Sequence, residues 1–123
     1  MTKVLASIRG RFDRAGIFLS GLCAVHCLLG IALVSGLGVG GTFLLAPEIH
    51  RVGLAIAIVI GALSLGVGIY RHGSAVPLLA GTAGLGLMAL ALATGHSMAE
   101  PILTVAGVAL VAAAHWQNLR RAH

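Results

Sequence analysis

The charged side chains of this chain avoid four long apolar runs, and this pattern restricts the fold more than any other feature. Only 9% of the 123 residues are charged and 59% are hydrophobic, whereas a soluble domain carries about 25% charged residues. The mean hydropathy is +1.05. About 20 apolar residues suffice for a helix to span a bilayer. We therefore predict an all-α fold, an integral membrane four-helix transmembrane bundle with helices over about residues 15–40, 47–70, 77–95 and 101–118.

Three prolines and one acidic residue mark the predicted helix starts. Pro47, Pro77 and Pro101 each stand at the start of an apolar run, and proline is tolerated at the first position of a helix. Asp13 is predicted to be the N-cap of the first helix. A basic leader before an apolar run also describes a signal peptide, but the first run is longer than an h-region of about 7–15 residues. We therefore interpret residues 1–123 as a single membrane domain.

Lysine and arginine residues are distributed unevenly around the apolar runs. All of them except Arg51 lie before the first run, in the loop after the second run or after the fourth run. Because basic residues are enriched on the cytoplasmic side of a membrane, both termini are predicted to be cytoplasmic. The formal net charge of +5 is interpreted as this orientation signal and as affinity for anionic lipid. The expected partner is the lipid bilayer, and no nucleic-acid binding is expected.

The only two cysteines flank a histidine within the first run, in the sequence Cys23-Ala24-Val25-His26-Cys27. At about 100° per residue, Cys23 and Cys27 lie about 40° apart around a helix, and His26 lies about 60° to the other side of Cys23. The thiols and the imidazole share one face near the bilayer midplane, where an ionisable side chain indicates function. Because thiolates select soft metals, we predict that Cys23, Cys27 and His26 bind mercuric, cuprous or zinc ion.

Other uses of these three residues are open. Cysteine also packs as a small hydrophobe, and His26 would then donate a hydrogen bond to a neighbouring helix. A disulfide is less favoured, because the Cα separation of about 6 Å lies near the upper limit for that bond. Two thiolates and one imidazole are also one ligand short of a tetrahedral zinc site, whereas a two-coordinate soft ion needs only the thiols.

Further polar residues lie near the ends of the predicted helices. On the non-cytoplasmic side, a secondary group of candidates is placed to attract a cation: Glu48, His50, His96 and Glu100. These residues also have ordinary uses, because acidic side chains favour helix N-termini and interfacial histidines meet water. On the cytoplasmic side, His72 is predicted to be a solvated turn residue. His115 and Asn118 are expected to hydrogen-bond another helix or a lipid headgroup.

Motifs along nearly the whole chain resemble those of the MerC family. Besides the cysteine motif, they are Asp13-Arg14-Ala15-Gly16, Ser20, Glu48 with His50, Gly68-Ile69-Tyr70-Arg71-His72, Glu100, Leu103-Thr104-Val105-Ala106-Gly107, Ala114-His115 and Asn118-Leu119-Arg120. The resemblance implies a small bacterial inner-membrane protein of four transmembrane helices, linked to mercury resistance. It also implies that Cys23 and Cys27 carry mercuric ion toward the cytoplasm. Better-known members have a second cysteine pair near the C-terminus, which this chain lacks, so the cytoplasmic acceptor and the physiological metal are open.

Enzymatic functions receive little support from the sequence. The chain has only three carboxylate side chains, and its glycines between residues 36 and 41 do not continue into the Lys and Ser or Thr of a P-loop. We expect no enzyme activity and no resident cofactor. The leading hypothesis is transport of a soft metal ion, above all mercuric ion, by exchange between thiol ligands. The alternative is a membrane metal-binding, sensor or structural subunit for zinc or copper without transport, and a homo-oligomer is compatible with both.

Overall fold

Four α-helices make up nearly all of the chain that the computed structural model describes, which is residues 2–37, 47–94 and 99–121. They are α1 (Thr2–Leu37), α2 (Pro47–His72), α3 (Val76–Thr94) and α4 (Ala99–Arg121). No strand occurs within these ranges. The predicted all-α class with four long helices is therefore confirmed. The predicted ends of the first helix, at 38–40, and of the third, at residue 95, lie outside the described residues.

All four helices are long and apolar enough, by length and composition, to cross a membrane. Their outward faces carry large apolar side chains, such as Phe18, Leu79 and Ile102, which are 69%, 66% and 67% exposed. In water, so large an apolar surface would drive association, whereas lipid tails are as apolar as these side chains. The chain is an integral membrane protein.

Helix α1 begins at Thr2, well before the predicted start near residue 15. The segment ahead of the first apolar run contains no proline, so no residue in it removes a helical hydrogen bond. The prediction that Asp13 is an N-cap is wrong, because Asp13 lies inside α1 and is fully buried. Its carboxylate accepts hydrogen bonds from α2 and α4 instead of capping a helix start.

Consecutive helices run antiparallel. Asp13 of α1 contacts Ser64 of α2, and further along α1, Cys23 approaches Gly53, which comes earlier in α2. Asp13 also contacts His115, close to the end of α4. One end of the bundle therefore holds Thr2, Arg121 and the turn between α2 and α3, and we call it the terminal end. The starts of α2 and α4 lie at the opposite end, which we call the far end.

The turn between α2 and α3 fixes a histidine at the terminal end. Gly73 has a φ of 70°, a conformation that is readily accessible to a residue without a Cβ. Its N–H donates to the carbonyl of Ile69 at 3.0 Å, which closes the end of α2. The next N–H, that of Ser74, donates to Nδ1 of His72 at 3.2 Å. The turn therefore holds the His72 ring in one orientation at the last residue of α2.

Helices α3 and α4 make a close contact at two facing glycines. A Cβ added at Gly84 would lie 2.6 Å from the carbonyl oxygen of Gly107, and one added at Gly107 would lie 2.6 Å from the carbonyl oxygen of Gly84. In lipid no hydrophobic effect drives helices together, and association depends on close van der Waals packing. Small residues such as these glycines allow the two backbones to approach that closely. Beside this contact lies a buried apolar cluster, which consists of Met88, Val108 and Val111.

We expect Gly84→Ala to force α3 away from α4 and to lower the free energy of unfolding by about 1–3 kcal/mol, the usual cost of overpacking. Gly86→Ala is the matched control on the same helix, because a Cβ added at Gly86 meets no atom within 4 Å. Unfolding of both variants in mixed detergent micelles, followed by circular dichroism, measures the difference. Equal stability of the two variants would contradict the close contact.

Candidate metal centre

Both thiols of α1 lie on the side of the helix that faces the bundle. Cys27 is only 4% exposed, Cys23 is half-buried, and both are free cysteines. Cys23 packs against the apolar cluster, and a Cβ added at Gly53 of α2 would lie 3.9 Å from its sulfur. Val25 and Leu28, on the other side of α1, are exposed. The helical spacing therefore places the two thiols toward the interior and the larger apolar residues toward lipid.

A cleft of about 250 Å³ opens between α1 and α2 beside Cys23. Cys23, His26 and His50 line it together with mostly apolar side chains. The rings of His26 and His50 are tilted by 56°, with their centroids 5.5 Å apart. The Nε2 atom of His26 and the Nδ1 atom of His50 are buried and have no hydrogen-bond partner. Since buried polar atoms are nearly always hydrogen-bonded, both nitrogens have an unused bonding position. We call this feature the histidine cleft.

The secondary candidates have different surroundings. His50 and Glu100 line one small cavity of about 10 Å³ near the far end, so these two residues are neighbours across α2 and α4. Glu48 is exposed in the first turn of α2, where a negative charge stabilises the helix N-terminus. His96 lies outside the described residues. The structure therefore brings His50 beside Cys23, and Glu100 beside His50.

The described residues provide ligand pairs and no larger ligand group. Within 2–37, 47–94 and 99–121, no three Cys, His, Asp or Glu side chains are placed so that they could hold a metal ion together. His26 shares a helix face with Cys23, but its ring contacts the ring of His50. Two pairs result, the thiols of Cys23 and Cys27 and the imidazoles of His26 and His50.

A buried hydrogen-bond network at the terminal end was missed by reasoning from the sequence. Its centre is Asp13, which is 0% exposed and accepts a hydrogen bond from the hydroxyl of Ser64. His115 Nδ1–H donates to Asp13 Oδ1 at 2.9 Å. Asn118 Nδ2 donates to Asp13 Oδ1 at 3.1 Å and to Oδ2 at 2.9 Å. We call these four residues and His72 the polar network.

His72 joins the network through Asn118, so the prediction that it is a solvated turn residue is wrong. Its Nε2–H donates to Asn118 Oδ1 at 2.8 Å, because its Nδ1 already accepts the N–H of Ser74. The expectation that His115 and Asn118 hydrogen-bond other helices is confirmed. The signal available in the sequence was the presence of polar side chains in apolar helices, which indicates buried partners or function.

A family model described as MerC mercury resistance protein matches residues 13–120, which is most of the chain. The chain belongs to the MerC family. The resemblance predicted from the sequence motifs is therefore confirmed. No curated protein and no solved structure matches the chain at a significant level.

Membership of the MerC family makes the chain a membrane protein related to mercury resistance. The matched residues begin at Asp13 and end within the last turn of α4. They therefore include both thiols, the histidine cleft and every member of the polar network. Each of these features belongs to the part of the chain that is similar to MerC.

Proposed function

We propose that this MerC protein transports mercuric ion across a bacterial inner membrane by exchanging it between paired ligands. The observation that carries the proposal is the histidine cleft, which Cys23, His26 and His50 line together. Each of the two imidazoles has a buried nitrogen without a partner, and the protein belongs to a mercury-resistance family. Mercuric ion is the substrate of this process, and no resident cofactor takes part.

Mercuric ion suits the ligand pairs that the helices provide. It is a soft cation, and soft cations prefer thiolate to oxygen ligands. Binding to Cys23 and Cys27 forms two mercury–sulfur bonds and releases two thiol protons, since the thiolate is the ligand. A structural zinc ion takes four ligands, which the described residues do not bring together in one place. Pairs of ligands therefore favour mercuric ion over zinc.

The histidine cleft provides an entry route from the far end. His50 lines the cleft and also the small cavity beside Glu100, and the carboxylate of Glu100 attracts a cation by its charge. An ion held by an imidazole of the cleft reaches Cys23 by exchanging one ligand at a time. Each exchange forms one metal–ligand bond as another breaks, so the ion crosses the bundle without an aqueous pore.

The basic residues support inward transport. Arg71, Arg120 and Arg121 lie at the terminal end together with the basic first turns of α1. The positive-inside rule assigns that end to the cytoplasm. His50 and Glu100, near the far end, then face the outside, and the thiols lie between the two surfaces. Mercuric ion would enter through the cleft and move toward the cytoplasmic termini.

Uptake of radiolabelled mercuric ion into liposomes that contain the full-length protein tests the proposal. We expect Cys23→Ser and Cys27→Ser each to lower the initial rate at least about tenfold, because a hydroxyl is a poor ligand for a soft ion. Gly21→Ser is the matched control. It lies on the same helix and is exposed, and a Cβ there meets no atom within 4 Å, so its rate is expected to equal that of the wild type.

Unchanged uptake in both cysteine variants would refute the thiol route. Binding of mercuric ion by the wild type without any uptake would favour the alternative function, a membrane metal-binding, sensor or structural subunit. The same assay with zinc and cuprous ions compares the three candidate substrates directly.

A further inference from the structure

The polar network contains a histidine nitrogen that no protein atom satisfies. His115 is 1% exposed, and its Nε2 atom has no hydrogen-bond partner. Its other nitrogen, Nδ1, carries the proton that it donates to Asp13, so Nε2 is the nitrogen that offers a lone pair to a metal when the ring carries one proton. A histidine that binds a metal almost always donates its second ring N–H to a carboxylate, a carbonyl or water in this way. His115 therefore makes the hydrogen bond that orients a metal-binding histidine, although the sequence predicted only that it hydrogen-bonds another helix or a lipid headgroup.

A small cavity separates this histidine from the thiol site. It measures about 10 Å³, and its lining includes Gly16, Ser20, Cys23 and His115. This volume is close to the minimum for one water molecule, so the cavity admits a guest of atomic size. Gly16 leaves room for the His115 ring, because a Cβ at this position would collide with that ring.

Cys23 lines both this small cavity and the histidine cleft. It therefore connects the entry route at the far end with His115 at the terminal end. The chain contains only two cysteines, so an ion that leaves Cys23 toward the terminal end needs a ligand that is not a thiol. Two side chains of the cavity lining carry such a ligand, the imidazole of His115 and the thioether of Met88, and both ligand types bind metals in proteins. Only the imidazole would give a bound ion a nitrogen neighbour.

We propose that Nε2 of His115 is a metal-binding site that receives the soft cation from the cysteine pair. This inference rests on the thiol transport proposed above. In the transfer, the bond between mercuric ion and His115 Nε2 forms and the bond to the sulfur of Cys27 breaks, which leaves the ion on Cys23 and His115. The thiolate of Cys27 takes back one of the protons released on binding, and no electron is transferred. Asp13 is a positioning residue, since it orients the ring and does not touch the ion.

X-ray absorption at the mercury edge tests the site without any transport assay. The full-length Cys27→Ala protein in detergent is loaded with mercuric ion alone, and we expect one sulfur and one nitrogen neighbour. Adding His115→Asn is expected to remove the nitrogen neighbour. Asparagine retains an N–H that reaches Asp13 but has no atom in the position of Nε2, so it preserves the network and removes the ligand. A nitrogen neighbour that persists would come from the histidine cleft and would overturn the proposal.

The uptake assay supplies the second measurement. We expect His115→Asn alone to bind one mercuric ion on its thiols as the wild type does, and to deliver it at least about tenfold more slowly. Gln117→Ala is the matched control, because Gln117 is exposed on the same helix, belongs to no part of the polar network and is not part of the cavity lining. Its uptake is expected to be unchanged.

The outcomes separate this inference from the function on which it rests. Uptake that survives Cys23→Ser and Cys27→Ser refutes the transport route itself. Uptake that depends on the cysteines but is unaffected by His115→Asn refutes only the site at His115. Circular dichroism of each variant shows whether the helices are intact. If His115→Asn loses its fold, the same mercury-edge comparison is made with His115→Gln, whose amide replaces the imidazole nitrogen by a poorer ligand.

Discussion

Asp13→Ala is expected to lower the free energy of unfolding by about 2–5 kcal/mol, the largest effect that we expect from one substitution. Ser64, His115 and Asn118 all donate to the buried carboxylate. Without it, these buried donors lose their shared acceptor, and a buried polar group without a partner is costly. Interhelical hydrogen bonds in membranes average about 0.6 kcal/mol and reach about 1.7 kcal/mol each. The loss of all of them at once gives the expected range.

Titration with a denaturing detergent in mixed micelles, followed by circular dichroism, measures this effect. Asp13→Asn retains one acceptor oxygen and is expected to lose about half as much stability. Arg14→Ala is the matched control, because Arg14 is the exposed neighbour of Asp13 on α1 and exposed substitutions change stability by about 0.5 kcal/mol or less. If Asp13→Ala lost as little stability as Arg14→Ala, the polar network would contribute nothing to the stability of the protein.

The number and type of the helices are predictable because they follow from the solvent. A backbone in lipid has to satisfy its own hydrogen bonds, so a long apolar run has only the helix available to it. Pro47, Pro77 and Pro101 then separate the runs, and each lies at or near the start of a helix in the structure. An apolar run of this length forms a helix in lipid whichever other helices it contacts.

Asp13 shows where local reasoning fails. An acidic residue directly before an apolar run fits the pattern of an N-cap, and only the partners of its carboxylate reveal a different role. Those partners lie 51 positions away at Ser64 and 105 positions away at Asn118. A contact of such separation is not encoded in any window of neighbouring residues. Because the Asp13 carboxylate is bonded to α2 and α4 and does not cap α1, the helix continues back to Thr2.

Helix spacing predicts a shared face but not its neighbour. It places Cys23 and Cys27 on one side of α1, yet the approach of His50 depends on how α2 packs against α1. The glycines of α3 illustrate the same limit. Gly84 and Gly86 each follow a small residue by four positions, but only a Cβ at Gly84 would meet α4, whereas one at Gly86 would meet nothing within 4 Å.

The candidate site at His115 and the stability of the bundle depend on the same close contact at Gly16. A Cβ built at Gly16 would meet three atoms of the His115 ring. The ring has little freedom to move aside, because Nδ1 is bonded to the buried carboxylate of Asp13. The His115 side chain is also only 1% exposed, so it has no open space to move into. Relief of the collision therefore requires either that α1 and α4 separate or that the hydrogen bond between His115 and Asp13 breaks.

Gly16→Ala is accordingly expected to lower the free energy of unfolding by about 2–4 kcal/mol, since it adds the cost of overpacking to that of a broken interhelical hydrogen bond. The same detergent titration measures the loss. Gly21→Ala is the matched control on α1, because a Cβ at Gly21 meets no atom within 4 Å, and alanine there favours the helix over glycine. If the two variants were equally stable, the His115 ring would have to lie away from Gly16. In that case neither the small cavity between Cys23 and His115 nor the transfer from the cysteine pair to His115 would have a structural basis.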